Sequence, residues 1–141
     1  MLQIRRGGEG DLLEVRAIQE ACPEAAQWNA TQYPHYDFRV ADRAGRIAGF
    51  LVARTLAGDE HELLNLAVAP DLRRQGVARA LLRSFLEQAH GAVYLEVRES
   101  NLAARDFYKS MGFKVFSWRS GYYDSHDGMT ESAIVMKFHS C

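Results

Sequence analysis

Residues 64–79 restrict the fold more than any other part of the sequence. The segment starts as a buried apolar strand, passes through a short basic turn and continues as a helix that opens on Gly76 and Ala78. The first amides of a helix have no acceptor within it and carry the positive end of its dipole. This strand–turn–helix can therefore hold a phosphate or pyrophosphate, with Arg74 and Arg79 adding charge. An ordinary strand-to-helix connection with a solvated basic turn is the alternative.

Length and composition indicate one globular domain, residues 1–141. A chain of 141 residues with 48% hydrophobic and 25% charged side chains is large enough to fold alone and has the composition of a folded protein. The longest apolar run, residues 47–53, is far shorter than the roughly 18 residues that a membrane helix needs. The first residues lack the apolar core of a signal peptide. We therefore expect a soluble, cytoplasmic protein without a membrane partner.

Charge and cysteine content exclude several classes of function. The formal net charge is −1, which removes the broad positive surface of a nucleic-acid-coating protein. Cys22 and Cys141 form neither a disulfide framework nor a zinc spacing. His61-Glu62 is followed by Asn65 where a metalloprotease motif has its second histidine, so we expect no metal. The sequence also contains no P-loop lysine motif and no G-x-S-x-G nucleophile turn.

Periodicity predicts strands that alternate with helices. The predicted helices begin near Asp11, Gly76 and Asn101. Predicted strands cover residues 2–6, 38–41, 46–54, 62–69, 92–97, 113–118 and 132–138, with the last two joined by a turn at Asp127-Gly128. Residues 24–37 show no readable pattern. The order favours an α/β (α+β) sheet covered by helices.

Glu96 and Tyr108 are the candidate proton-transfer groups. Alternation within the strand puts Glu96 on the face of Tyr94, where it either faces water or lines a cleft as a general base. Tyr108 lies seven residues into the helix that Asn101 opens, so a helix that folds back brings the two side chains to one cleft. A phenol suits protonation of a thiolate, although a core position is the alternative for Tyr108.

Two motifs, in this order, resemble those of a known superfamily. The segment Arg73-Arg74-Gln75-Gly76-Val77-Ala78 resembles the Q/R-x-x-G-x-G/A pyrophosphate loop of the GNAT superfamily of acyl-coenzyme-A-dependent N-acetyltransferases. Residues 95–104 and 107–113 together are similar to one motif, L-E-V-R-x-S-N-x-x-A…L-Y-x-x-x-G-F, of its RimI-like branch, the bacterial ribosomal-protein-alanine N-acetyltransferases.

A third motif follows at the spacing of the same branch. Tyr122-Tyr123, Asp127-Gly128 and residues 131–136 resemble its Y-Y…D-G…E-D-A-x-x-M ending, with Ser132 in place of the usual Asp. The resemblance covers residues 60–138, whereas residues 1–59 match in the order of elements alone.

The resemblance implies a fold, a co-substrate and a set of site residues. It implies a GNAT-type mixed, largely antiparallel central sheet with helices on both faces and a V-shaped splay that holds acetyl-CoA. Glu96 corresponds to the general base and Tyr108 to the general acid. The positions implied for binding acetyl-CoA are Leu66, Ala67, Val68, Arg74, Gln75, Gly76, Val77, Ala78, Arg79 and Asn101.

The implied reaction is attack of an amine on the acetyl thioester. The leading hypothesis is acetylation of a protein N-terminal α-amino group, such as that of a ribosomal protein. Acetylation of a small-molecule amine or a lysine is the second hypothesis, and a non-catalytic acyl-CoA-binding regulatory module is the third. Glu96 and Tyr108 favour an enzyme, because a pure binder needs the loop alone. The sequence leaves the oligomeric state open.

Overall fold

The computed structural model describes residues 1–124 and 130–140. Its strands and α-helices follow one another as β1 (Leu2–Arg6), α1 (Leu12–Glu20), β2 (Asp37–Arg43), β3 (Arg46–Ala57), β4 (Glu60–Val68), α2 (Val77–Gln88), β5 (Gly91–Arg98), α3 (Leu102–Ser110), β6 (Lys114–Asp124) and β7 (Thr130–Ser140). This order agrees with the sequence prediction. Short 3-10 helices occur at Glu9–Asp11, Ala30–His35 and Pro70–Leu72, the second of them within the unreadable stretch. The predicted turn at Asp127-Gly128 lies outside the described residues.

The strands form one sheet in the order β1-β2-β3-β4-β5-β7-β6. Neighbouring strands are antiparallel at every position except β4 and β5, which are parallel. Parallel neighbours need a crossover connection, and α2 supplies it between these two strands. The prediction of a mixed, largely antiparallel sheet is confirmed.

The apolar run at residues 47–53 is explained by burial of β3 on both faces. Gly49 and Phe50 are neighbours in this strand and therefore point to opposite faces. A Cβ at Gly49 would lie 3.0 Å from a Val77 side-chain atom of α2, so the absence of a side chain lets this helix pack closely. On the other face the Phe50 ring stacks on Tyr33 at 5.8 Å. Helices consequently cover both faces, as predicted.

The sheet splits between β4 and β5. These strands pair only through Glu60, His61 and Glu62 with residues 92–94, although β4 continues to Val68 and β5 to Arg98. Each strand stays bonded to its outer neighbour, β3 or β7, along the separated part. The two strands thus diverge from a closed end. This is the predicted V-shaped splay.

Candidate active site

A cavity of about 980 Å³ occupies the split. Its walls come from β4, β5, the start of α2, one side of α3 and the irregular segment 22–28. The cavity brings together most of the residues predicted from the sequence: Leu66, Ala67, Val68, Arg74, Gly76, Val77, Ala78, Arg79, Glu96, Asn101 and Tyr108. Gln75 does not line it, because its side-chain oxygen accepts a hydrogen bond from Arg43 instead.

The start of α2 forms the positively charged part of the wall. Gly76 precedes the helix with a φ of +80°, a left-handed conformation that glycine adopts without steric cost. A Cβ at this position would meet no atom within 4 Å, so the space above the first helical turn is open. The first amides of the helix have no acceptor within it. Arg74 and Arg79 line the cavity beside them, which makes this wall suitable for a pyrophosphate.

The separated part of β4 forms the second wall. Leu66, Ala67 and Val68 lie beyond the last pair with β5, so this edge of the strand borders the cavity. The Leu66 N–H donates to Oδ1 of Asn65 at 3.0 Å. A bound ligand would therefore have to share or replace that bond in order to use the Leu66 amide.

Glu96 lies on the sheet face opposite α2. Phe50 and Arg54 point to the same side of β3, which is the side that Tyr33 covers. Arg54 lies directly opposite Glu62 of β4, so Glu62 also points to this side. Glu62 pairs in turn with Tyr94, two residues before Glu96, so Glu96 shares that face. The sequence left open whether Glu96 faces water or lines a cleft. In the structure it does both, because it lines the cavity and is accessible to water.

An ion pair from β6 holds the Glu96 carboxylate. The Arg119 Nη1 donates to Glu96 Oε1 at 2.5 Å, and both side chains are partly accessible, at 50% and 28%. Arg119 and Arg98 are both paired with Ala133 of β7, so all three residues lie on the face of Glu96. The sequence pattern did not indicate Arg119, since the pairing depends on two strands that meet only in the folded sheet.

Tyr108 enters the cavity from α3. Its ring packs edge-on against Phe107 and Phe113, with centroids 5.3 and 5.6 Å apart. Burial in this apolar surrounding raises the pKa of the Tyr108 hydroxyl above its usual value. Tyr108 is therefore a protonated donor at neutral pH, and it is both a packed residue and a cavity residue.

Asn101 has a structural function as well as a place in the cavity wall. Its Oδ1 accepts the Ala104 N–H at 3.2 Å and so caps α3, as the sequence predicted. The cap orients the first turn of the helix, in which Ala103 and Ala104 also line the cavity.

Segment 22–28 is the part of the site that sequence reasoning missed. It has no regular secondary structure, yet it lines the cavity together with Arg73. Arg73 joins Glu24 at 2.6 Å and the Cys22 sulfur at 3.4 Å. Gln19 and Asn65, two buried polar residues in otherwise apolar patterns, were the available signal for this wall.

Candidate metal centres and membrane-spanning helices are absent from the described residues. Within residues 1–124 and 130–140, no group of three His, Cys, Asp or Glu side chains is arranged to hold a metal ion. Over the same residues no helix has the length and apolarity required to cross a membrane.

A split sheet with a positively charged helix start on one side, and a carboxylate and a phenol in its walls, is the arrangement that the GNAT motifs of the sequence imply. The chain belongs to the acetyltransferase (GNAT) family, whose model matches residues 11–113.

Within this family the chain is similar to protein N-terminal acetyltransferases. It is 41% identical over 96 residues to the [ribosomal protein bS18]-alanine N-acetyltransferase of Escherichia coli K12, a match that covers 65% of this chain and 64% of that protein. It is 35% identical over 105 residues to the N-alpha-acetyltransferase RimI of Mycobacterium tuberculosis H37Rv, covering 72% of this chain and 66% of that protein. These similarities confirm the resemblance to the RimI-like branch.

The fold agrees with the sequence comparison. The crystal structure of the Escherichia coli ribosomal-protein-S18-alanine N-acetyltransferase matches with a TM-score of 0.86 and 31% identity, and the match covers 99% of this chain and 94% of that chain. The structural match thus includes residues 1–59, for which the sequence motifs supplied only the order of elements.

Proposed function

We propose that this protein uses acetyl-CoA to acetylate the N-terminal α-amino group of a protein, by direct attack of the amine on the thioester. The observation that carries the proposal is the cavity that Glu96, Tyr108 and the start of α2 share. A ribosomal protein is the proposed acceptor, because the similar Escherichia coli protein is named for acetylating ribosomal protein bS18.

The cavity residues fit the chemical groups of acetyl-CoA. The start of α2, with Arg74 and Arg79, would hold the pyrophosphate through helix amides and positive charge. Ala67 and Val68 would present main-chain groups to the pantetheine arm from the separated edge of β4. When bound, acetyl-CoA supplies an activated acetyl group on a thiol that can leave.

Glu96 is proposed as the general base. As the amine nitrogen bonds to the carbonyl carbon, the amine has to lose a proton, and a carboxylate can accept it directly or through water. Glu96 is accessible within the cavity, on the face opposite α2, so an acceptor can approach it without crossing the pyrophosphate wall. The Arg119 ion pair orients the carboxylate towards β6.

Tyr108 is proposed as the general acid. When the carbon–sulfur bond of the thioester breaks, the sulfur of coenzyme A takes a proton from the Tyr108 hydroxyl group. Burial raises the pKa of the Tyr108 hydroxyl, because the charged phenolate is disfavoured away from water. A tyrosine hydroxyl is protonated in the neutral range even at its usual pKa of about 10, so Tyr108 is available as a donor.

Tyr108→Phe is expected to lower kcat by about 10²-fold, the lower end of the range for an acid that acts in the transition state. Coenzyme A affinity should change little, because the ring still packs on Phe107 and Phe113. Steady-state kinetics and a binding titration measure the two effects. Tyr36→Phe, which lies outside the cavity wall, serves as the control. An unchanged kcat with a raised KM would assign Tyr108 to substrate binding instead.

Acetylation of defined peptides tests the proposed function. The purified protein is incubated with acetyl-CoA and a peptide that has a free N-terminal alanine and an internal lysine, and the products are mapped by fragmentation mass spectrometry. We expect one acetyl group on the α-amine and none on a matched peptide with a blocked N-terminus. Comparison of protein N-termini in cells with and without this protein then identifies the acceptor.

The other outcomes separate the alternatives. Acetylation of the lysine alone would support a side-chain acetyltransferase. Binding of coenzyme A without transfer to any tested amine would support a non-catalytic acyl-CoA-binding module. Either result would contradict the proposed N-terminal activity.

A further inference from the structure

A buried polar cluster lies beneath the cavity, in the apolar core on the Glu96 face. It consists of Gln19 from α1, Tyr33 from the 3-10 helix Ala30–His35 and Asn65 from β4, with 5%, 1% and 5% of their surfaces accessible. Tyr33 donates its hydroxyl proton to Gln19 Oε1, and Asn65 Nδ2 donates to the same oxygen at 3.1 Å. Three segments distant in sequence thus meet at one amide oxygen.

Gln19 and Asn65 also bond to the backbone of the cavity walls. Gln19 Nε2 donates to the Trp28 carbonyl at 2.6 Å, and Asn65 Nδ2 donates to the Ala26 carbonyl at 2.9 Å. Asn65 Oδ1 accepts the Leu66 amide of β4. The cluster therefore fixes residues 26–28 and the separated part of β4 relative to each other.

The side-chain amide of Gln27 adds further hydrogen bonds within the same segment. Gln27 Nε2 donates to the carbonyls of Gln19, Cys22 and Ala25 at 2.8, 3.0 and 3.2 Å. Segment 22–28 has no strand or helix of its own, so these side-chain bonds add to the two backbone bonds from the Cys22 and Ala25 N–H groups in setting its path.

Stability alone is a poor reason for such a cluster. Burial of three polar side chains among apolar residues is unfavourable unless every group finds a partner, and hydrophobic residues of the same shape often serve equally well. In the described part of the chain no buried side-chain nitrogen or oxygen lacks a partner. The bonds of the cluster end on wall backbone, which apolar replacements would leave unsupported.

We infer that Gln19, Tyr33 and Asn65 are positioning residues that hold segment 22–28 in place as the wall against which the acceptor peptide binds. This inference rests on the proposed function, in which Glu96 receives the amine on this face of the sheet. The segment lies on the same face, because Ala26 is bonded by Asn65, the neighbour of Val52 on the Phe50 side of β3. The cluster acts through the backbone and touches neither reacting group.

Kinetics of two variants test the inference. Gln19→Leu keeps the size of the side chain and removes both of its polar atoms, whereas Tyr33→Phe removes one hydroxyl. We expect Gln19→Leu to raise the KM of the acceptor peptide about tenfold, as loss of buried hydrogen bonds allows, and Tyr33→Phe to raise it less. The kcat and the KM of acetyl-CoA should remain within about twofold of the parent values.

Hydrogen exchange supplies a measurement that does not depend on activity. Amides of residues 22–28 should exchange faster in Gln19→Leu, while those of β2 and β3 should not change. Val15→Ala is the matched control, because Val15 is a buried residue of the same helix with an apolar side chain. Val15→Ala should lower the stability of the whole protein without a selective increase in the exchange of the amides of residues 22–28.

The outcomes are distinguishable from failure of the proposed function. If the parent protein acetylates no peptide, the exchange measurement still decides whether the cluster holds the segment. Unchanged exchange at residues 22–28 in Gln19→Leu would overturn the inference. An equal rise in the KM of acetyl-CoA and of the peptide would also overturn it, because the effect would then belong to the whole cavity.

Discussion

Glu96→Gln is expected to lower acetyl transfer at neutral pH by about 10²–10⁴-fold, the usual contribution of a general base. Glutamine keeps the shape of the side chain but cannot accept a proton from the amine. The fold should persist, because the side chain is accessible and its loss of charge affects one partly exposed ion pair with Arg119. Initial rates with a verified acceptor peptide measure the effect.

The pH dependence of this variant gives an independent check. The α-amino group of a peptide ordinarily has a pKa of about 8, so a growing fraction of the acceptor is already deprotonated as the pH rises. The activity of Glu96→Gln should therefore recover partly above that pH. Glu60→Gln, which changes a β4 carboxylate outside the cavity wall, is the control. Activity of Glu96→Gln within a few-fold of the parent would return Glu96 to the role of an ordinary solvated strand residue.

Gly76→Glu is expected to weaken coenzyme A binding by about 10³-fold, because the new carboxylate would stand against the pyrophosphate at the start of α2. Coenzyme A should raise the melting temperature of the parent protein by mass action, and this shift should disappear in the variant. A Cβ at Gly76 meets no neighbour within 4 Å, so the variant should fold despite the left-handed backbone. Thermal unfolding with and without coenzyme A measures both effects.

Gly45→Glu is a matched control for this prediction. Gly45 has a φ of +90° and open space around its Cβ, so the substitution introduces a similar backbone strain and the same charge. It lies in the turn between β2 and β3, away from the cavity, and should leave the coenzyme A shift intact. A full shift in folded Gly76→Glu would place the co-substrate site elsewhere.

The sequence by itself determined the features that depend on neighbouring residues. The strand, turn and helix of residues 64–79 are contiguous, and their apolar periodicity and small residues are sufficient to predict the elements and the place where the helix begins. The cap at Asn101 and the face of Glu96 follow in the same way from local spacing. These predictions succeeded because hydrogen bonds and periodicity within one element act over a few residues.

Only the tertiary structure decided how these elements form a site. The cavity exists because β4 and β5 pair at one end and separate at the other, and the pairing of distant strands leaves no mark in either segment alone. Segment 22–28 forms part of the cavity wall because Gln19 and Asn65, which are 46 residues apart in the chain, donate hydrogen bonds to its carbonyl groups. Arg119 reached Glu96 across an intervening strand. Such contacts depend on which distant segments pack together, and local pattern does not encode that choice.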